Sequence, residues 1–478
     1  MTPIPFSVGT SPGANPQENA GRLINAYAEP LGDKGPSGAS IRRVPGMALF
    51  ASPSTQESPV AGLTGYRGAI VVGNTMYAAY SGKLVTVSGS GVVTEFDDLT
   101  GDDPVFMARN NKATTPDIVI VCEDGAFEVG GSSITSFVDV DLPACNAVCF
   151  HQGYFIFTTG DGKAIASGLN ATTINALDFV TAEGNPDGLV RPVSFGNNLF
   201  LFGTSSTEVF GDPVNDVGFP FSRVTVIRRG LLQNTAVCGF EDGFPGPIMF
   251  VGDDYGVYAI NGFEPVKISP PVLDRMIKDA CASDYRIEFN VHVSAGNSFA
   301  SLSCDDWTWE FNLITKKWHE RKSYGATRWR GKYAIRAFNK WLAGDDQSDK
   351  IGEITETMQT EFGEPLVFEV ESGPVIEFPS RQRVARADFL FAAGVGVVTG
   401  DDPTQTNPTV EISYSPDGIR WSDPMQRKLG RQGEFGSRIM VANAGISGPG
   451  GHRWRVSVSD AVQISLMGGT QSGEFRAN

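Results

Sequence analysis

Histidine is scarce in this chain, with four among 478 residues. His151, His292, His319 and His452 stand in unrelated contexts, which leaves little for general-base catalysis. Cysteine is also scarce. Six thiols in so long a chain do not make a disulfide framework. Cys145 and Cys149 lack a second Cys or His pair at zinc-ligand spacing, so no metal site is expected. The thiols read as small buried apolar groups of a protein made in a reducing cytosol. No run of about 18 apolar residues occurs, so no membrane-spanning helix is expected. The first basic residue is Arg22 and Met1 to Gly13 holds no apolar segment, so no signal peptide is expected. Basic charge is in deficit, with 38 Lys and Arg against 54 Asp and Glu and a net charge of −16. Such a chain is poorly suited to wrapping nucleic acid and well suited to a surface that must not adhere to DNA. Phosphate loops, nucleophile elbows and His-Glu-x-x-His motifs are missing. No catalytic residue and no cofactor are expected.

What the chain has in quantity is a hairpin. Seven times an apolar run meets a tight polar turn and leaves as a second alternating run. The turns centre on Gly82, Gly125, Gly162, Ser206, Asp254, Asp306 and Gln347, spaced 43, 37, 44, 48, 52 and 41 residues apart. Ile118–Cys122 turning through Glu123-Asp124-Gly125 into Ala126-Phe127-Glu128-Val129 is representative. Continuous apolar runs suit strands covered on both faces, and their partners alternate. Strand-only repeats of about 40–50 residues are the pattern of β-propeller blades. The expectation is an all-β protein with a propeller of about seven blades, with six to eight open.

Three segments follow. Residues 1–58 are rich in Pro, Gly, Asn and Ser and read as an extended N-terminal arm lying on something else. Residues 59–360 hold the repeats. One helical signal interrupts them, where Ser269-Pro270-Pro271 precedes Val272, Leu273, Met276 and Ile277. Residues 361–478 carry short strands at Phe368–Val370, Ala387–Phe391, Val410–Tyr414, Ile439–Val441, Trp454–Val458 and Val462–Leu466, which read as a C-terminal β-sandwich.

Asp345, Asp346 and Asp349 have the chemistry of calcium ligands but lack the loop pattern, so a polar hairpin turn is preferred. Ser415-Pro416-Asp417-Gly418 before Trp421 is similar to the Asp-box turn of sialidase propellers, shortened by one residue. Electrostatically one stretch differs from the rest. Residues 316–340 hold Lys316, Lys317, Arg321, Lys322, Arg328, Arg330, Lys332, Arg336 and Lys340 against Glu320 alone, a local +8 inside a chain of −16. Trp318, Tyr324, Trp329, Tyr333 and Phe338 interleave. The stretch reads as a contact with an acidic partner protein in preference to DNA, or as a solvated strand face.

Motifs in order carry a resemblance. They are Met249-Phe250-Val251-Gly252-Asp253-Asp254-Tyr255-Gly256-Val257-Tyr258, Gly262-Phe263-Glu264-Pro265, Trp307-Thr308-Trp309-Glu310-Phe311-Asn312, Lys317-Trp318-His319-Glu320-Arg321 and Lys350-Ile351-Gly352-Glu353. The arm adds Arg22-Leu23-Ile24-Asn25-Ala26-Tyr27-Ala28-Glu29-Pro30, and Ser413 to Trp421 and Trp454 to Ser459 add to it. Together they resemble the packaged-DNA stabilisation proteins of short-tailed bacteriophages, also called tail hub or nozzle proteins. Val291-His292-Val293 departs from the family's more aromatic strand there.

The resemblance implies a structural virion protein of the tail and not an enzyme. It implies a ring, typically a homohexamer, below the portal and its head-to-tail adaptor. Such a ring closes the DNA exit, guides double-stranded DNA without sequence-specific binding, and carries fibres or spikes. Arg22, Asn25 and Tyr27 in the arm, with Lys316, Lys317, Arg321, Lys322, Arg328, Arg330, Lys332 and Arg336, are the candidate partner contacts. The competing reading is an extracellular carbohydrate-binding or carbohydrate-active propeller.

Overall fold

A computed structural model describes the chain except residues 33–37, 183–186, 214, 216, 398–401 and 477–478. The polypeptide divides into two compact units. One comprises residues 1–48, 294–329 and 355–478; the other comprises 49–293 and 330–354.

The second unit is a succession of antiparallel meanders. Its first sheet is Gly68–Val72, Thr75–Tyr80, Gly82–Ser88 and Val93–Leu99, paired in chain order. Four more four-stranded sheets follow, starting at Phe106, Ala147, Leu189 and Val237. The strands Gly331–Ala337, Lys340–Asp345 and Ile351–Thr355 come last. The first strands of the first four sheets pack on one another in turn, and Gly331–Ala337 packs on Gly68–Val72. Apolar clusters fill the seams. Ala79 and Leu84 meet Ile120 and Cys122, and Val119 and Val121 meet Phe155 and Phe157. Ile156 and Ala164 meet Leu199 and Leu201, Phe202 meets Phe250 at 5.3 Å between ring centres, and Ala337, Leu342 and Ile351 meet Met76 and Tyr80. Second strands such as Ile118–Cys122 are therefore buried throughout, whereas the outermost strand Ile174–Thr181 is largely exposed. Each fully buried Phe contributes about 2–3 kcal/mol. This is an all-β, propeller-type architecture.

All seven expected turns join paired strands. Tyr80 pairs with Lys83 around Gly82, which has φ +79° and so suits the residue without a Cβ. Cys122 pairs with Gly125, Val251 with Val257 and Ser303 with Thr308. The expected helix is Pro271–Ala282, with proline at its start and Leu273, Ile277 and Ala280 buried as one stripe.

In the first unit, one sheet runs Asn297–Ser303, Thr308–Asn312, Lys317–Arg321, Arg22–Ile24, Phe368–Glu371, Arg453–Val458, Thr409–Ser415 and Met425–Lys428. The other runs Ala26–Pro30, Ala39–Arg43, Ser465–Arg476, Arg381–Phe391 and Ile439–Ala442, with Thr2–Pro3 beside Ser465–Arg476. They share a core in which Val370, Ile412, Trp454 and Val456 face Ile41, Ala387, Phe389 and Val441. Five of the six short strands expected after residue 361 form where the alternation places them. The sixth starts only at Ser465 and is much longer. Arm residues 1–48 belong to this unit: Ile24 pairs in parallel with Glu320 and Leu23 antiparallel with Val370.

Candidate functional site

The basic stretch begins at Lys316 and runs onto the strand Lys317–Arg321, where burial and not strict alternation separates the charges. Trp318 and His319 are buried and Lys317 is exposed. Arg321 is fully buried. Its Nη1 donates to Glu310 Oε1 at 2.9 Å, its Nη2 to the Pro45 carbonyl at 2.8 Å, and its guanidinium lies 3.8 Å from the centre of the Trp329 ring. Glu310, also buried, accepts from Ser301 Oγ at 2.6 Å and meets His319 Nε2 at 2.8 Å. Trp329 Nε1 donates to Glu361 at 2.9 Å, and Ser323 Oγ donates to the same carboxylate at 2.5 Å. Such a charged cluster persists in a core because every ion has an opposite partner.

The other cations divide in two. Arg328 is buried, donates to the Trp329 carbonyl at 3.1 Å and lies 3.7 Å from Asp305. Arg330 grips Asp345 with two hydrogen bonds of 2.7 and 2.6 Å. Lys332 bridges Asp346 at 2.7 Å and Glu288 at 3.5 Å, and Lys340 meets Glu353 at 2.5 Å. Lys316, Lys317, Lys322 and Arg336 remain exposed. Asp345 is thus the counter-ion of Arg330, and Asp349 Oδ2 accepts the Ser54 N–H at 2.8 Å.

The arm candidates are bound within their own chain. Arg22 makes paired hydrogen bonds of 2.9 and 2.5 Å to Glu320. Asn25 sits at φ +51°; its amide donates to the Lys322 and Val367 carbonyls and accepts the Lys322 N–H, all at 2.9 Å. Tyr27 is buried edge-on to Phe299, and burial pushes its hydroxyl up to about 12. The contact set therefore separates into three groups: Arg22, Asn25, Tyr27 and Arg321 tie the arm to the strands and turn between residues 297 and 322, Arg328, Arg330 and Lys332 are paired with acids elsewhere, and Lys316, Lys317, Lys322 and Arg336 are exposed.

Glu310 and Glu361, the counter-ions of that hairpin, escaped the sequence reading. Their signal was present: each carboxylate stands among aromatics, in Trp309-Glu310-Phe311 and Glu361-Phe362. Arg43 also escaped it. Its guanidinium donates to the carbonyls of Val458, Asp460 and Val462, and burial brings its pKa down to about 10. The Asp-box-like turn is held internally, since Asp417 Oδ1 accepts the Ile419 and Arg420 N–H groups at 2.8 Å. The first unit carries an apolar groove of about 1160 Å³ lined by Ile4, Phe6, Phe389, Phe435 and Leu466. Its charged lining residues, Asp388 and Arg438, pair with each other at 3.2 Å. Among the described residues no group of three or more metal-ligating side chains forms, and no helix is long and apolar enough to cross a membrane.

The family model of Bacteriophage P22 Gp10, a β-propeller family of phage stabilisation proteins, matches residues 20–359. The chain belongs to this family. The match runs from the arm through the tryptophan-rich hairpin to the last strand of the repeats. Comparison with curated proteins gives no match. Among solved structures, the virginiamycin B lyase of Staphylococcus aureus is similar at 10% identity and TM-score 0.43, covering 64% of this chain and 97% of its own. The WD40 β-propeller domain of Doa1 aligns at 8% identity and TM-score 0.40, covering 65% and 96%. At TM-scores this low neither bears on function.

Proposed function

We propose that this protein is the nozzle subunit of a short phage tail. In this reading it forms a homohexameric ring below the portal and head-to-tail adaptor. The ring closes the DNA exit after packaging, guides the genome out during ejection and carries fibres or spikes. The membership in the Gp10 family carries the proposal. The fold agrees with it. Stacked meanders with filled seams make a stiff wall, with the first unit, a β-sandwich in this reading, as a docking platform. Acid is concentrated on the second unit, where 18 Lys and Arg stand against 32 Asp and Glu, a difference of −14. In the first unit 20 stand against 22, a difference of −2. A wall of that sign repels phosphate and lets DNA slide. The carbohydrate reading gains nothing from the Asp-box-like turn, whose side chain is committed to its own backbone.

Negative-stain microscopy of the purified full chain, alone and with isolated tails lacking it, tests the proposal. Sixfold rings that cap the tails and restore genome retention are expected. A monomer that never joins tails refutes it.

A further inference from the structure

Two turns, one in each unit, present exposed branched apolar side chains on a rigid backbone beside charges of opposite sign. The first follows the outermost strand of the second sheet. Val138 and Val140 are 73% and 94% exposed, although valine at a turn tip gains nothing from water. Asp139 between them is locked: one carboxylate oxygen accepts the Asp141 N–H at 3.1 Å, and the other accepts Ile174 N–H at 2.7 Å from the next sheet. Those bonds hold the Asp139 carboxyl below its ordinary range. Asp141 is exposed beside Val140. This tip is apolar and acidic.

The second turn joins Thr308–Asn312 to Lys317–Arg321. Ile314 is 53% exposed at its tip. Asn312 Oδ1 accepts the Ile314 and Thr315 N–H groups at 2.8 and 3.2 Å, and the Asn312 carbonyl accepts the Lys316 N–H at 2.8 Å. Lys316 and Lys317 are exposed beside it. This tip is apolar and basic, in a chain whose net charge is −16.

We propose that the Val138–Val140 tip of one copy of this chain docks on the Ile314–Lys317 tip of the next, as a repeating head-to-tail contact. The proposal rests on the ring reading above and names the seam that closes it. Three features support it. The charges are complementary, which guides encounter and register. Both tips are preorganised by their own hydrogen bonds, so little ordering entropy opposes docking. The two surfaces differ, so the contact is heterologous and closes into a ring when the rotation permits.

The test is charge exchange in the full chain, followed by sedimentation velocity and electron microscopy. Asp139 is left intact because it holds its turn. Lys317→Glu and Asp141→Lys should each raise the assembly midpoint concentration about tenfold, and the Lys317→Glu/Asp141→Lys double variant should recover most of the loss. Val140→Asp should raise the midpoint with no recovery by either change. Unaltered circular dichroism and thermal melting establish that the variants fold. If rings form and the single variants assemble like wild type, or the double variant shows only the sum of both losses, the seam is elsewhere and the ring reading stands. If the wild-type chain stays monomeric at every concentration, alone and with tails, both fall.

Discussion

Replacing Arg321 with methionine tests the claim that the arm is fastened by a buried charge network. The substitution keeps the stem volume and removes the guanidinium. Glu310 then keeps His319 and Ser301 but loses its Arg321 hydrogen bond of 2.9 Å, and the Pro45 carbonyl loses a donor at 2.8 Å. Deleting one member of a buried pair costs about 3–5 kcal/mol, because the remaining buried charge loses its opposite partner. For about 200 cooperative residues this lowers the melting temperature by roughly 10 °C. Calorimetry with urea unfolding followed by tryptophan fluorescence measures both, since Trp329 lies under the guanidinium. Arg321→Met/Glu310→Met removes both charges and should be less destabilised than Arg321→Met alone. The reasoning fails if Arg321→Met loses less than about 1 kcal/mol, the value of an exposed pair, or if the second substitution deepens the loss.

Two arm substitutions should differ sharply. Asn25→Ala removes three partly buried hydrogen bonds and puts a Cβ without side-chain compensation at φ +51°, costing about 3 kcal/mol. Arg22→Ala loses a bidentate pair whose side chains are 33% and 19% exposed and should cost about 1 kcal/mol, falling with salt; hydrogen exchange at Leu23 and Ile24 reads both. Burial pushes the Glu241 carboxyl up to about 7, against the pull of the Gly239 N–H and Arg191. The folded state therefore holds a proton that the unfolded state has released, and stability falls as pH rises from about 4.5 to 7, by about 3 kcal/mol at most. Urea midpoints of Glu241→Gln should lack that fall, and a wild-type-to-variant difference that does not change with pH would sink the assignment. Burial lowers His151 and His452 to about 4, so each contributes stability that is present above about 6.5 and lost as pH falls towards 4; His452→Gln should flatten the acid limb of the unfolding profile, and an unchanged limb counts against a neutral buried ring.

The hairpins were legible because their information is local. A turn such as Ser81-Gly82 or Glu123-Asp124 is written in adjacent residues, and the flanking alternation fixes its register. The helix was legible for the same reason. The arm was not. Its three-residue strand Arg22–Ile24 has too little pattern to name a partner, and its partners lie near residues 320 and 370. The basic stretch shows a related limit. Charge counted along the chain gave +8, but Asp345, Asp305 and Glu353 fold back onto Arg330, Arg328 and Lys340. Composition counts ions and cannot see which are already paired.

That pairing constrains how an acidic ring could hold together. In the proposed sixfold ring, six copies at −16 carry a net charge of 6 × −16 = −96, and like charges within a Debye length of about 8 Å repel. Diffuse acid serves a conduit, because phosphate then finds no foothold on the wall. The same acid opposes the closing of neighbouring subunits. Assembly therefore needs cations that are exposed, local and held in place. Of the nine cations between residues 316 and 340, only Lys316, Lys317, Lys322 and Arg336 are exposed. Lys316 and Lys317 lie on a turn that Asn312 fixes around an exposed isoleucine. In the proposed ring, a subunit that lets DNA slide past and still coheres with its neighbour has to confine attraction to a few rigid points, and this turn has the required charge, apolar tip and rigidity.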